Sequence, residues 1–347
     1  MGFKERTLRV RPGAKLAGSP LASTRLRVLI PAMELAKRFP VYLVSFEDFL
    51  ADPRLAAIGG AAAVVFRKLS TTEVLARAHT LHYMVEQLSA LAAERRVVAD
   101  LSDDYAAAPE AAQAGELADY QRALLGACPI TVPCEALAAR LRPQAQQGVH
   151  VIEDPFEGPE GSPRAPRGDA LRVCWFGHAR PAQLEALERA LGRVVERAAS
   201  LEAVTSGDAA GFFAALGDRL SRSHPGFRLR FTPWSPAATW QALRECDVVL
   251  LPQDASAWGL VKSHNRLVEA LRAGRLAVAS PIASYQELAA YAWVGEDPAA
   301  GVAWALAHPG DAVQRVRLGQ EHLPVRFSPA VVARKWAATL GLEDQVG

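Results

Sequence analysis

The chain has 347 residues, more than one hydrophobic core usually organises, so two domains are expected. Half of the residues are hydrophobic and 22% are charged, with a net charge of +2. That balance excludes a disordered chain and a protein that grips nucleic acid through a broadly basic face, so any cationic site is local.

Cys128, Cys134, Cys174 and Cys246 form no Cys-x-x-Cys pair and lie in or beside apolar runs, which reads as structural thiols in a reducing compartment. No basic start followed by an apolar core opens the chain, so no signal peptide is expected. The weakly polar stretch 56–66 is too short to span a bilayer. A cytoplasmic protein is expected, with peripheral contact with a membrane left open.

In chain order, short β-branched runs at 7–10, 41–46, 62–66, 96–101, 130–133 and 149–152 alternate with helical patterns such as 25–38 and 72–94. Alternation of this kind predicts a parallel sheet with helices on both faces. The segment EDPFEGPEGSPRAPRGD, with four prolines and three glycines, then breaks the pattern. Its composition is that of a connector, so the boundaries are set at 1–153 for a first domain and 154–169 for the linker. The alternation restarts at 171–176, with a helix over 181–198. Further strands are expected at 203–205, 229–232, 248–251, 276–279 and 293–294. A second domain over 170–328 follows, then a last helix within 329–347 that is expected to pack back on the first domain.

Ligands of such sheets bind outside the carboxyl ends of the strands, so the segment after 248–251 is informative. It reads PQDASAWGLVKSHNRLVEALRAG. Ser263 is the expected N-cap of a helix whose apolar face is Leu267, Val268 and Leu271, with Gly274 at the C-cap. A helix N-terminus favours acidic neighbours, yet Lys262, His264 and Arg266 crowd this one. A bound phosphate or diphosphate would reverse that conflict. Lys262, Arg266 and Glu269 stand about one turn apart and share a face.

DVVLLPQ, KSHNRLVEALRAGRLAVAS and SYQEL together resemble the donor-binding half of GT-B glycosyltransferases, especially the family-4-like group. The resemblance implies an α/β fold with two Rossmann-like domains facing across a cleft. It implies transfer of a sugar, of the hexosyltransferase type, from a nucleoside diphosphate sugar to a glycan, lipid-linked or protein acceptor, with no nucleic acid partner. Polysaccharide or other glycan synthesis would be the setting. It places the ribose on Glu269 and the diphosphate on Lys262, Ser263, Asn265 and Arg266. The match extends to LRVCWFG, where Gly177 lets the ligand approach the backbone and His178 and Arg180 follow. FTPWS resembles the nucleobase region, with Trp234 stacking on the base or capping the core. ITVPCEALAARL and HVIEDPFE resemble the crossing from the acceptor domain into the linker.

Retaining members carry Glu-x7-Glu, and with Glu269 as the second position the first falls on Val261. Valine offers no hydrogen bond to the sugar, so the resemblance implies retention while this residue withholds its usual contact. Lys262 or Asn265 would have to substitute. An enzyme needs no metal here if Lys262 and Arg266 balance the charge on the leaving diphosphate.

In VVADLSDDY, Asp103 and Asp104 are the candidate bases or acceptor ligands, with Asp100 behind them; turn and N-cap roles are the alternative. In SPLASTRLR, Ser23, Arg25 and Arg27 are the candidates for the acceptor side. His79 and His82 have a two-ligand spacing without a third, so no metal site is expected. Neither Gly-x-Ser-x-Gly nor a phosphate-binding Gly-x4-Gly-Lys-Ser/Thr loop is present. Two other readings stay open: a non-catalytic GT-B-like protein that binds a nucleotide sugar or glycan, and a nucleotide-sugar epimerase.

Overall fold

A computed structural model describes residues 8–12, 19, 21–53, 55, 58, 60–67, 78–107, 114–168 and 170–342. The chain divides into two compact units, residues 1–155 with 327–347, and residues 156–326.

The first unit begins with β1 (Leu8–Val10), α1 (Ala22–Thr24), a π turn (Arg25–Leu29) and α2 (Ile30–Leu35). β2 (Val41–Leu43) and α3 (Phe46–Ala51) follow, α3 opening where the Ser45 hydroxyl accepts the Asp48 amide at 3.0 Å. Then come β3 (Ala63–Arg67), α4 (Ala78–Glu94), β4 (Arg96–Asp100), α5 (Ala114–Ala127), β5 (Ile130–Val132), α6 (Glu135–Leu141) and β6 (Val149–Val151). Strands β3-β4-β5-β6 pair in that order, all parallel. The strands expected at 7–10 and 41–46 do not join them. β1 and β2 form an antiparallel ribbon of their own, because alternation of strand and helix says nothing about which strands become neighbours. Thr7, Gly59 and residues 72–77 of the expected helix lie outside the described residues.

The second unit holds β7 (Arg172–Phe176), α7 (Pro181–Val194), β8 (Ser200–Thr205), α8 (Ala210–Ser223), β9 (Arg228–Pro233), α9 (Pro236–Glu245) and β10 (Val248–Leu251). α10 (Asn265–Arg272), β11 (Leu276–Ala279), α11 (Ala283–Gln286), β12 (Trp293–Val294), α12 (Pro298–Ala307) and α13 (Pro309–Phe327) complete it, α13 ending one residue into the first unit. Among the described residues its sheet has six parallel strands in the order β9-β8-β7-β10-β11-β12. β10 and β11 are buried at every position, as unbroken aliphatic runs in the middle of a parallel sheet should be. Trp175, Leu187, Leu191, Leu201 and Phe213 pack between the sheet and its helices, with Phe213 stacked on Phe231 at 5.5 Å. Helix starts are set by Ser-Pro and Asp-Pro pairs: Ser235 and Asp297 accept the Ala238 and Ala299 amides at 3.0 Å, and the following prolines begin α9 and α12.

From Phe156 onward the proline-rich segment belongs to the second unit and lies along α10. Gly161 N donates to Arg272 O at 2.9 Å, Arg164 N donates to Gly274 O at 3.1 Å, and Arg272 lies over the Phe156 ring at 4.3 Å. The last helix, α14 (Pro329–Thr339), is capped by Ser328 and returns to the first unit, where Trp336 and Leu340 pack with Val98 and Ile152.

All four cysteines are buried thiols. Among the described residues, no helix is long and apolar enough to cross a membrane, and no group of three or more His, Cys, Asp or Glu side chains is placed to hold a metal ion. The side chains of His79 and His82 lie outside the described residues.

Candidate functional site

The strand order of the second unit reverses between β7 and β10, the pair from which the chain proceeds in opposite directions across the sheet. Outside their carboxyl ends is the crevice that such a reversal leaves for a ligand. Two loops meet there, 177–180 after β7 and 252–264 after β10.

Gly177 ends β7 with a φ of +154°, a backbone conformation that side chains with a Cβ rarely adopt. It is also crowded: a Cβ there would stand 3.0 Å from Arg266 Nη1. Arg266 comes from the first turn of α10 and crosses the reversal point. Its Nη1 donates to Phe176 O at 3.5 Å, at the end of β7, and its Nη2 donates to Gln253 Oε1 at 2.5 Å, just beyond β10. Gln253 is fixed in turn by Ser280 Oγ, which accepts its amide at 3.0 Å, and by donation to Gly259 O at 3.3 Å. Among the described residues, Arg266 and Arg180 have no carboxylate partner.

The loop after β10 folds on its own polar groups. Asp254 Oδ1 accepts the Ser256 amide at 3.0 Å, and Ser256 Oγ accepts the Gly259 amide at 3.0 Å. A side chain at Gly259 would collide with Asp254 O and Oδ1, so the turn requires glycine there. This turn sets Trp258, 4% exposed, against two cations: Arg180 Cζ lies 4.2 Å from the ring centroid and Lys262 Nζ 4.1 Å. The two charges are therefore within about 8 Å of each other. Their repulsion is about 0.5–2 kcal/mol between water-like and protein-like dielectric, and an anion would cancel it.

α10 begins at Asn265, with His264 as its N-cap, so Ser263 is not the cap that its residue type suggested. His264 is 2% exposed, has helical φ and ψ, and makes no side-chain cap bond. Instead its Nε2 meets Glu287 Oε2 at 3.0 Å, while Arg326 Nη2 donates to the same oxygen at 2.5 Å. The His264 hydrogen bond, helped by Arg326, pulls the Glu287 carboxyl down to about 2. The first turn of α10 holds no acid, and among the described residues the buried Asn265 amide nitrogen has no hydrogen-bond partner. Lys262 is anchored through its backbone, whose carbonyl accepts Ser284 Oγ at 2.6 Å.

Glu269, on which the resemblance places the ribose, is held within the second unit. It is 5% exposed, and its two oxygens accept the Glu157 amide at 2.7 Å and the Gly158 amide at 3.0 Å. Burial pushes its carboxyl up to about 7 against the pull of those amides. With Trp240, Arg244 and Gly158 it lines a cavity of about 140 Å³. The carboxylate fastens the segment after Phe156 to α10.

Trp234 follows β9 at the same end of the sheet, half-buried, its amide donating to Thr205 O at 2.7 Å. His178 lies in the loop between Gly177 and Arg180 and is exposed. Gly177, His178, Arg180, Lys262, Ser263, Asn265 and Arg266 thus stand on the two crevice loops and the start of α10, with Trp234 beyond β9. Trp258 and Gln253 were not among the expected residues. A lone Trp in a Gly-containing loop after a buried strand was the only available sign.

In the first unit the expected acceptor-side groups are largely engaged with one another. Arg27 is not on a surface: it is 3% exposed, donates to Asp100 Oδ1 at 2.6 Å and lies 3.4 Å from Asp154 Oδ1. Asp100 also accepts Thr131 Oγ1 at 2.8 Å. Arg25 is 7% exposed and donates to Ser19 O at 2.6 Å. Ser23 Oγ accepts Arg67 Nη2 at 2.6 Å. Asp104, a candidate base, is 2% exposed and is held by Gln121 Nε2 at 2.9 Å, by the Ala106 amide at 3.2 Å and by Arg140. These contacts tie the loop after β4 to α5 and α6. Asp103 is half-buried and accepts Ser102 Oγ at 3.2 Å.

No protein-family model matches the chain, and no curated protein matches it. Solved structures do. The OtsA apo structure aligns with a TM-score of 0.59 and 14% identity over 98% of this chain and 90% of that one. A UDP-forming α,α-trehalose-phosphate synthase from Burkholderia vietnamiensis aligns at 0.59 and 10% identity over 92% and 82%. The E. coli trehalose-6-phosphate protein bound with UDP-2-fluoro glucose aligns at 0.56 and 13% identity over 97% and 89%. At these identities the likeness carries the fold alone, and with the parallel sheets of both units it makes this chain a GT-B fold, two Rossmann-like domains in succession.

Proposed function

We propose that the protein is a glycosyltransferase that takes a sugar from a nucleoside diphosphate sugar. The observation that carries this is Arg266. Among the described residues its guanidinium spans the ends of β7 and β10 on neutral partners and lies within contact of Gly177, at the crevice where this topology binds ligands. Arg180, Lys262 and the buried Asn265 amide add donors at the same loops. Glycosyl transfer builds negative charge on the departing diphosphate, and preorganised cations in a partly dry site stabilise it. The solved structures with this fold include one bound with UDP-2-fluoro glucose and UDP-forming synthases, which supports a nucleotide-sugar donor here. In this reading Gly177 admits the diphosphate to the backbone, Ser263 and His178 line its path, Trp234 receives the base, and Asp103 is the candidate carboxylate for the acceptor hydroxyl.

A panel of nucleoside diphosphate sugars tests this, with wild type compared against Arg266→Met and Arg180→Met. Wild-type binding and turnover of one donor, lost in both variants, is the expected result. Donor binding of wild-type strength in both variants would sink the reading. Binding without turnover would favour a second reading, a non-catalytic nucleotide-sugar-binding protein. Two observations favour it: Val261 is buried at 9% exposure, and Asp104 is committed to structural partners.

A further inference from the structure

We propose that Gln253 is a positioning residue for the donor diphosphate: its neutral amide holds the Arg266 guanidinium at the ends of β7 and β10 without cancelling its charge. The inference rests on the donor reading above and gives a chemical reason for an amide at this position.

Gln253 stands between two groups of opposite hydrogen-bonding character. Its Oε1 accepts Arg266 Nη2 at 2.5 Å, and its Nε2 donates to Gly259 O at 3.3 Å. A guanidinium only donates and a backbone carbonyl only accepts, so the side chain joining them must accept at one end and donate at the other. Glutamine does both while uncharged. An ionised glutamate has the same length and shape but no donor, and it would set a negative oxygen against Gly259 O. It would also turn the Arg266 bond into an ion pair, leaving the guanidinium compensated before any diphosphate arrived.

The backbone that carries the amide is fixed from two sides. Pro252 O, one residue earlier, accepts Gln183 Nε2 of α7 at 2.7 Å, and Gln183 is itself 7% exposed. Ser280 Oγ, just beyond β11, accepts the Gln253 N–H at 3.0 Å. An arginine held by so anchored an acceptor has less rotamer freedom left to lose on meeting an anion. The other hold on the guanidinium, Phe176 O at 3.5 Å, is longer and equally neutral. Among the described residues no carboxylate pairs with Arg266. A glutamine that only closed its own loop would act on stability, and its effect on anion affinity would not depend on Arg266.

Calorimetric titration with pyrophosphate, UDP, GDP and ADP compares wild type with Gln253→Met, Gln253→Glu, Arg266→Met and the double variant Gln253→Met/Arg266→Met. Expected is a loss of about 2- to 12-fold in diphosphate affinity in Gln253→Met, the range of one neutral hydrogen bond, and of about 10-fold or more in Gln253→Glu. In the Arg266→Met background the Gln253→Met loss should vanish, because the two side chains act as one unit. A loss of equal size in both backgrounds overturns the Gln253 inference, as does wild-type affinity in Gln253→Glu, and either result leaves the donor reading standing. Absence of binding of every diphosphate to wild type removes both. If Gln253→Met does not fold, or Arg266→Met binds too weakly to titrate, the pH profile of Gln253→Glu decides. Its affinity relative to wild type should recover as pH falls from 7 to 5, since a bound anion favours the protonated form of the added acid. A ratio constant over that range overturns the inference.

Discussion

The Arg266 guanidinium rests against Gly177, close enough that a single added Cβ would lie 3.0 Å from Nη1. Two residues 89 positions apart thereby share one point at the ends of β7 and β10. Gly177→Ala should strain the backbone, whose φ is +154°, by about 1–3 kcal/mol, and should displace Arg266. The expected outcome is a folded protein with a lowered urea midpoint and at least several-fold weaker diphosphate binding. Wild-type affinity in the folded variant would remove the contact from the site.

Arg266→Met should separate function from stability. Its present partners are a carbonyl and an amide oxygen, so no buried carboxylate is stranded by the change. Folding stability should move by no more than about 1 kcal/mol, whereas a charge-assisted bond to phosphate is worth about 1.5–3 kcal/mol, or roughly 10- to 150-fold in Kd. Titration with UDP, GDP and ADP beside urea unfolding measures both.

Arg27→Ala should do the reverse. It leaves Asp100, 2% exposed, with Thr131 alone for a partner in place of the ion pair. Breaking one side of such a pair costs about 3–5 kcal/mol, a large share of a typical protein's stability. Denaturant unfolding should show that loss, and an unchanged midpoint would contradict the buried geometry.

Glu269 makes stability depend on pH. Its carboxyl sits at about 7 in the folded protein, against 4.5 as the ordinary value, because burial disfavours the charge. Between those values the folded state holds a proton that the unfolded state has released. Stability therefore falls as pH rises from about 4.5 to about 7, by a total of about 3 kcal/mol, and is level beyond. Urea midpoints at pH 5, 6, 7 and 8 should converge on this trend for wild type, while Glu269→Gln should flatten it. A wild type and Glu269→Gln with parallel pH profiles would rule it out.

What could be read in advance follows from the range of the forces involved. Strands such as Val248–Leu251 and Leu276–Ala279 announce themselves by unbroken aliphatic runs, and Gly274 by its place after a helix, where the structure has a φ of +78°. Pairings between distant positions leave no local mark. Asp104 meets Arg140, and Arg27 meets Asp100 across 73 residues, so groups that looked available at strand ends are consumed by partners elsewhere. Glu269 was legible as a residue of interest through the resemblance of its motif, but its contact with residues 157 and 158 required the path of the chain. Ser263 was a good cap by type and was displaced by His264, whose bond to Glu287 fixes it where the helix begins. The cation–π contacts of Trp258 depend on a turn geometry that composition does not encode.

The return of α14 to the first unit has a consequence for how the protein is made. The face formed by Val98 and Ile152 is covered by Val332, Trp336 and Leu340, residues that leave the ribosome only after the whole second unit has been synthesised. At ordinary elongation rates the nascent first unit waits roughly 10 to 30 seconds with that face unsealed. The interval exposes it to chaperones and to aggregation, and the turns of α14 act as the closing step of the part that emerged first.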